Sequence, residues 1–195
     1  MREVSILVCG ECGVGKTSVV LRYIQNEFVT YDPTIMDCFR KEDVIVNENL
    51  LLNITETNTD IEDAVYMNQG FLLIYDVTNE SSLEPMMEVC KRIRQVNHHS
   101  VVLLFGNKND LVSETGESSV NIQKMSTLYN IDTLMGSAKN DTNIKQCMHR
   151  IAQQILGLNK TIQPPVHKKH LNWNLFNSSP SIDQSSDLEM FKNKK

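Results

Sequence analysis

Short apolar runs recur along the chain and are separated by longer polar or mixed segments. The runs Val4–Cys9, Phe71–Tyr75 and Val101–Phe105 contain almost no alternating polar positions, which is typical of strands buried on both faces of a sheet. Residues Thr133–Met135 are predicted to form a further, shorter strand. These four segments supply the predicted centre of a sheet.

Two more strands are predicted at residues 38–46 and 50–56. The polar segment Asn47–Glu48–Asn49 lies between them and is expected to form the turn. The two strands should therefore pair as a β-hairpin.

Helices are predicted where apolar residues recur every three or four positions. One helix is expected to begin at Lys16, and Pro85 suits the first turn of a second, because that turn leaves its N–H groups unpaired. A third helix is predicted from Ile144 to Leu158 by apolar residues at three- and four-residue spacing, and Pro164–Pro165 prevents its continuation. The apolar faces consist of Val19, Val20, Tyr23 and Ile24, then Met86, Val89, Cys90, Ile93 and Val96, and last Ile144, Cys147, Met148, Ile151, Ile155 and Leu158.

Strands that alternate with helices predict an α/β fold with an open, mostly parallel six-stranded sheet and helices on both faces. Ligands bind such sheets at the carboxyl ends of the strands. Residues 1–158 are predicted to form this domain. Residues 159–195 are mainly Asn, Ser, Lys and Gln, so we expect a disordered tail. Its apolar stretch, residues 170–176, is either an incidental patch or a docking motif.

Composition indicates a cytoplasmic protein. None of the apolar runs approaches the roughly 20 residues that span a bilayer, and the first ten residues lack the form of a secretory signal. The five cysteines show no CxxC pairing and favour a reducing compartment over a disulfide framework. They are Cys9, Cys12, Cys38, Cys90 and Cys147.

The net charge of −5 is unevenly distributed. Residues 159–195 contain six lysines and three acidic residues, so they carry +3 and leave −8 on residues 1–158. An acidic body with a weakly basic tail is a poor nucleic-acid binder, because phosphate binding needs clustered cations. We interpret the tail as a solvated linker, with weak contact to an anionic membrane surface as the alternative.

A glycine-rich loop follows the first strand. Residues 10–17, GECGVGKT, match the pattern Gly-x-x-x-x-Gly-Lys-Thr between a predicted strand and a predicted helix. Its glycines let successive N–H groups point inward and form an anion site at a helix N-terminus. Lys16 is expected to contact the terminal phosphates, and Thr17 to bind Mg²⁺. The loop alone does not distinguish ATPases, kinases and GTPases, and a chance Lys-Thr after a glycine turn is the alternative.

A guanine-binding pattern follows later in the chain. The segment Asn107-Lys-Asn-Asp110 comes directly after a strand, where it faces the ligand edge. The Asp110 carboxylate can accept two hydrogen bonds from guanine, and adenine lacks that pair of donors. Asn107 can tie the loops together, and the Lys108 stem can lie across the base. An isolated motif of this kind can be an ordinary solvated loop. Here Ser137-Ala-Lys139 follows at a compatible distance, with the Ala138 N–H expected to donate to guanine O6.

With these motifs, residues 3–157 resemble a Ras-superfamily small GTPase, closest to the Ras and Rap branch. The resemblance implies a small G domain of the P-loop NTPase fold that binds GTP or GDP with Mg²⁺. It also implies that Phe28 packs on guanine, that Thr34 closes on Mg²⁺ and the γ-phosphate, and that residues 31–39 bind effectors. The implied nucleotide-binding residues are Gly10, Gly13, Val14, Gly15, Lys16, Thr17, Ser18, Phe28, Thr34, Asn107, Lys108, Asp110, Ser137, Ala138 and Lys139.

The chain departs from the family pattern where Asp-Thr-Ala-Gly-Gln is usual. Glu56 retains the carboxylate that contacts Mg²⁺ through water, while Thr17 and Thr34 complete the expected metal set. Thr59 replaces the glycine, although a β-branched residue does not readily adopt positive φ. Asp60 replaces the glutamine that orients the attacking water.

Two further changes, like Thr59 and Asp60, point to slow GTP hydrolysis. Cys12 stands where Ras and Rap have glycine, and the segment after residue 60 is shorter than in Ras by more than one helical turn. We therefore expect a truncated or absent helix in this segment. The alternative is that a nearby carboxylate, Asp60, Glu62 or Asp63, restores ordinary chemistry.

Three hypotheses follow. The first is a monomeric, Ras-like GTP-binding regulator with slow hydrolysis, in which Lys16, Thr34 and an ineffective Asp60 occupy the catalytic positions. The second is a pseudo-GTPase that binds partners whatever its nucleotide state, and the third is a conventional GTPase that needs an activating protein. Effectors and an exchange factor are the expected partners. No cysteine follows Cys147 and no glycine follows Met1, so no lipid anchor is expected.

Overall fold

The computed structural model describes residues 1–28, 38–112, 126–127 and 129–157. Its six-stranded sheet has the order β2-β3-β1-β4-β5-β6, and every pairing is parallel except that of β2 with β3. The α/β fold and the mostly parallel six-stranded sheet are therefore confirmed. The strands are β1 (Arg2–Cys9), β2 (Cys38–Ile45), β3 (Glu48–Thr57), β4 (Gly70–Asp76), β5 (Val101–Asn107) and β6 (Asp132–Met135).

Burial explains the continuous apolar runs of the central strands. All seven residues of β4 are buried, because strands and helices cover it on every side. The edge strand β2 instead alternates exposed and half-buried residues along most of its length. The three longest apolar runs of the sequence correspond to the strands β1, β4 and β5 at the centre of the sheet.

The hairpin turn lies earlier than expected. Ile45 pairs with Glu48, so the turn consists of Val46 and Asn47 rather than Asn47–Glu48–Asn49. Both turn residues have positive φ, 50° for Val46 and 63° for Asn47. Two consecutive left-handed residues match the twist of a two-residue hairpin, and Glu48 is then free to begin β3.

Helices cover both faces of the sheet, as predicted. The helices α1 and α4 share one buried core, and α2 and α3 contribute to the other. Two short 3₁₀ segments precede α3 and follow β5, at Glu80–Ser82 and Asn109–Leu111. The helices whose bounds lie within the described ranges are α1 (Lys16–Gln25), α2 (Ala64–Met67), α3 (Leu83–Val96) and α4 (Ile144–Ile155).

Two helix ends differ from the expectation. Val96 was expected on the buried face of α3 but is 45% exposed, because it is the last residue of that helix. The helix α4 ends at Ile155, and Gly157 then adopts a φ of 68°, which is a common way to terminate a helix. Leu158 and the tail, residues 159–195, lie outside the described residues.

The cysteines are all free thiols. Cys9, Cys90 and Cys147 are buried, while Cys12 and Cys38 are exposed. Burial raises the pKa of Cys9 to about 12, so this thiol stays protonated. Within the described part of the chain, none of the helices is long and apolar enough to cross a membrane.

Candidate functional site

The glycine-rich loop joins β1 to α1 at the carboxyl edge of the sheet. Gly13 and Gly15 have φ values of 82° and 92°, which side chains rarely adopt. A Cβ atom on Gly15 would also lie 2.5 Å from Asn107 Nδ2. The two glycines therefore let the backbone curl and approach the next loop closely, as an anion-binding loop requires.

Lys16 points back over this loop. Its Nζ donates to the carbonyl oxygens of Gly10 at 2.8 Å and Glu11 at 3.1 Å, and to Asn58 Oδ1 at 3.0 Å. Burial lowers the pKa of the Lys16 ammonium, although the Glu56 carboxylate acts in the opposite direction. A partly buried ammonium held at the loop can attract a phosphate strongly, because less water screens it.

A hydroxyl and a carboxylate meet beside Lys16. Thr17 Oγ1 donates to Glu56 Oε2 at 2.6 Å, so the first turn of α1 contacts the carboxyl end of β3. Hard oxygen donors of this kind suit Mg²⁺. The described residues contain no group of three or more His, Cys, Asp and Glu side chains that could hold a metal. A cation here would therefore use Thr17, Glu56, water and phosphate oxygens.

Asn107 joins three loops. Its Nδ2 donates to the Val14 carbonyl at 2.9 Å, and its Oδ1 accepts from the Ala138 N–H at 3.1 Å. The expected role of Asn107 in tying loops together agrees with these contacts. The donation from the Ala138 N–H to guanine O6 stays a prediction, and in this structure the same N–H donates to Asn107 Oδ1.

The Lys108 ammonium is held by two hydrogen-bond acceptors. Its backbone adopts a left-handed φ of 66°, and its Nζ donates to Gly13 O at 2.7 Å and Asp76 Oδ2 at 2.6 Å. Burial would raise the pKa of Asp76, but the hydrogen bonds from Lys108 and Thr78 outweigh burial and hold it below its usual range. Asp76 is therefore a carboxylate that fixes the direction of the Lys108 stem.

Asp110 lies at the far side of the same loop. Its carboxylate accepts a hydrogen bond from Ser137 Oγ, and Lys139 Nζ lies 4.0 Å from it. The Asp110 side chain is only 8% exposed, while that of Lys139 is 62% exposed. A nearly buried carboxylate that keeps lone pairs available can accept from a ligand that offers two donors.

These loops surround a cavity of about 230 Å³. Gly13 leaves open space where a side chain would stand, and Asp110 supplies a hydrogen-bond acceptor, so a nucleoside with phosphates fits the residues present. Phe28 lines the cavity and is 44% exposed. The lining residues are Gly13, Gly15, Ser18, Phe28, Asn107, Lys108, Asp110, Leu111, Ser137, Ala138 and Lys139. Of the other predicted phosphate-loop residues, Gly10, Val14, Lys16 and Thr17 do not line this cavity.

The segment 57–60 is tied down by its own neighbours. Thr59 does not adopt positive φ, and its carbonyl accepts from Arg92 Nη2 at 2.7 Å. The Thr57 hydroxyl donates to the Asp60 carbonyl at 2.9 Å. The Asp60 side chain is exposed, and its Oδ1 accepts from the Glu62 N–H at 3.4 Å. The helix that follows has only four residues, which agrees with the expected truncation.

Several contacts were not foreseen from the sequence. Asn58 binds Lys16, Asp76 binds Lys108, and Arg92 binds the Thr59 carbonyl. Asp76 directly follows the apolar run of β4, so its position at the ligand edge was a usable signal. Arg92 lies on a helix among other charged residues, so nothing in the sequence singled it out as a partner of Thr59. Thr34 and the rest of residues 31–37 lie outside the described residues.

Comparison with known proteins agrees with this geometry. A family model described as the Ras family matches residues 5–157. The Ras-like protein RAS2 of Hydra vulgaris is 33% identical over 177 residues, which cover 86% of this chain and 92% of that relative. The matched region extends from β1 to the residues just after α4, so it contains the whole site.

Proposed function

The chain belongs to the Ras family of small GTPases, and from that premise we propose that it is a GTP-binding signalling regulator that hydrolyses GTP slowly. The Ras family generally binds GTP and GDP with Mg²⁺. For this chain, guanine specificity, slow hydrolysis and regulation through residues 31–39 are the parts that we propose. The observation that carries guanine binding is the nearly buried Asp110 carboxylate, which lines the same cavity as the phosphate-loop glycines.

Base selection would depend on Asp110 and its supports. Ser137 Oγ donates to one Asp110 oxygen, so the carboxylate is oriented before a ligand arrives. A guanine base offers two N–H donors to the Asp110 carboxylate. Adenine lacks this pair of donors and would leave the nearly buried carboxylate without hydrogen bonds from the base, which costs binding free energy. Lys108 would lie along the base, because Gly13 and Asp76 hold its ammonium and so fix the direction of its stem.

Phosphate binding would depend on Lys16 and the loop N–H groups, which provide positive potential at the N-terminus of α1. Thr17 and Glu56 are the described residues that would hold Mg²⁺, and their oxygens already meet at 2.6 Å. When bound, Mg²⁺ supplies charge neutralisation at the phosphates.

Slow hydrolysis is supported by the segment 57–60. The attacking water needs a group that orients it, and phosphoryl transfer depends almost entirely on such positioning and on charge stabilisation. Asp60 is exposed and carries a negative charge, so it would repel an anionic phosphate rather than assist water. Thr59 is fixed to Arg92 through its carbonyl, which restricts movement of this segment.

We propose a cytoplasmic monomer that meets effectors through residues 31–39 and is reloaded by an exchange factor. The domain boundary near residue 158 and the linker role of residues 159–195 belong to the same proposal.

A pseudo-GTPase binding module is the second candidate. The Arg92–Thr59 contact favours it, because a segment held by the protein itself can present the same surface in every nucleotide state. The two candidates differ in nucleotide response, which makes them separable by effector capture with GTP-loaded and GDP-loaded protein.

The decisive experiment combines three measurements on the full chain. Chromatography of nucleotide released from the purified protein should find GTP or GDP, and competition should favour GTP over ATP by at least about a hundredfold. Single-turnover hydrolysis with Mg²⁺ should be slow. Equal binding of ATP would overturn the role of Asp110, while fast turnover would favour a conventional GTPase.

A further inference from the structure

The lysine of the phosphate loop is already fully engaged by the protein. Lys16 Nζ donates to the carbonyls of Gly10 and Glu11 and to Asn58 Oδ1, at 2.8, 3.1 and 3.0 Å. An ammonium has three N–H donors, so these three acceptors use all of them. A further phosphate oxygen that approaches Lys16 must therefore displace one acceptor.

Asn58 is the acceptor that can leave at least cost. The other two are backbone carbonyls of the phosphate loop, and moving them would disturb the loop itself. Asn58 is exposed, and its contact with Lys16 is made by the end of a side chain. The Asn58 carbonyl also accepts from the Gly10 N–H at 3.2 Å, so the residue stays beside Lys16 when its side chain turns away.

We propose that Asn58 is a specificity-determining residue that lowers the preference of the site for GTP over GDP. This inference rests on the proposed function. The Asn58 carboxamide takes a Lys16 donor that the γ-phosphate of GTP needs. GDP has one phosphate fewer and competes less for that donor. The Lys16–Asn58 hydrogen bond therefore opposes the binding of GTP, which brings a further phosphate to Lys16, more than the binding of GDP.

The test measures the affinities of GDP and a non-hydrolysable GTP analogue by displacement of fluorescent GDP. Asn58→Ala should raise the ratio of analogue affinity to GDP affinity by about three- to tenfold, the range for one hydrogen bond. Asn58→Asp should lower the ratio, because a carboxylate binds Lys16 more strongly and repels the phosphate. Asn53→Ala is the matched control, since this carboxamide on β3 contacts Glu3 instead.

Opposite shifts in the two Asn58 variants, with an unchanged ratio in the control, support the inference. A ratio unchanged in Asn58→Ala overturns it, as does a shift in the same direction in both variants. A merely structural role would weaken both nucleotides together and leave the ratio unchanged. If the unmodified chain binds neither nucleotide, the proposed function fails as well, so the two failures are distinguishable.

Discussion

The ammonium of Lys108 lies 2.6 Å from a carboxylate oxygen of Asp76, which joins the base-binding loop after β5 to the end of β4. Asp76 also accepts from the Thr78 N–H at 2.9 Å, so the carboxylate is itself held in place. The pair sets the direction of the Lys108 side chain before any ligand binds, and it makes Asp76 a positioning residue of the site.

Replacing Asp76 with asparagine should speed the release of guanine nucleotides. Asn keeps an acceptor for Thr78 but removes the charge that holds Lys108. We expect dissociation of fluorescent GDP to accelerate by about three- to tenfold, the loss expected for one partly exposed charge-assisted hydrogen bond. Glu80→Gln, an exposed acid in the following 3₁₀ segment, is the control. Equal release rates in the two variants would contradict the role given to Asp76.

Removal of the Arg92 guanidinium should loosen the segment 57–60. In Arg92→Leu the Thr59 carbonyl loses its donor, so we expect a loss of about 1–2 kcal/mol in the free energy of unfolding. Hydrogen exchange at residues 58–61 should accelerate more than elsewhere. Lys91→Leu serves as the control, because this neighbour on α3 pairs with Glu88 at the surface instead of with the segment 57–60. Comparable exchange in both variants would show that Arg92 does not restrain the segment.

Restoring the family residues should restore hydrolysis. In the double variant Thr59→Gly and Asp60→Gln, the backbone gains freedom and an amide replaces the negative charge. We expect the single-turnover rate of phosphate release with Mg²⁺ to rise at least about tenfold, because one well-placed donor can contribute that much. Asp63→Asn removes a nearby charge without adding the amide and should leave the rate unchanged. A rate that stays the same in the double variant would mean that hydrolysis is limited elsewhere.

Stability at acid pH should depend on Asp43. Its Oδ2 accepts from Tyr23 OH at 2.7 Å and lies 2.8 Å from His149 Nε2, which joins α1, β2 and α4. Burial would raise the pKa of Asp43, but the hydrogen bonds from Tyr23, His149 and the Val44 N–H outweigh it and lower the pKa. The folded-state pKa therefore lies below the unfolded value of about 3.9.

The sign of the pH dependence follows from this direction. Because Asp43 is more acidic in the folded state, its stabilising contribution is fully present above about pH 4 and is lost as pH falls through the lowered pKa. Asp43→Asn should lower Tm at neutral pH and reduce the further fall of Tm on acidification. Thermal unfolding measured across this range checks the prediction, with Asp141→Asn as an exposed control. Parallel Tm curves for the unmodified chain and Asp43→Asn would refute it.

Local sequence was sufficient for the elements and for much of the candidate site. The apolar runs of β1, β4 and β5 are long enough to indicate buried strands by themselves, and hydrophobic periodicity located α1, α3 and α4. The glycine-rich loop and the segment around Asp110 were recognisable because each is a continuous stretch of chain. The hairpin turn was misplaced, since propensity favoured Asn47–Asn49 whereas strand pairing placed Val46 in the turn.

Contacts between distant residues required the folded chain. Asn58 is 42 residues from Lys16, Asp76 is 32 from Lys108, and Asp43 is 106 from His149. Their side chains meet because parallel strands end at one edge and helices pack across the sheet. Residue types alone specify neither the register nor the helix position that makes such pairs. The motifs of this protein were therefore predictable from single segments, whereas the partners that hold Lys16, Lys108 and Thr59 depend on the packing of the whole sheet.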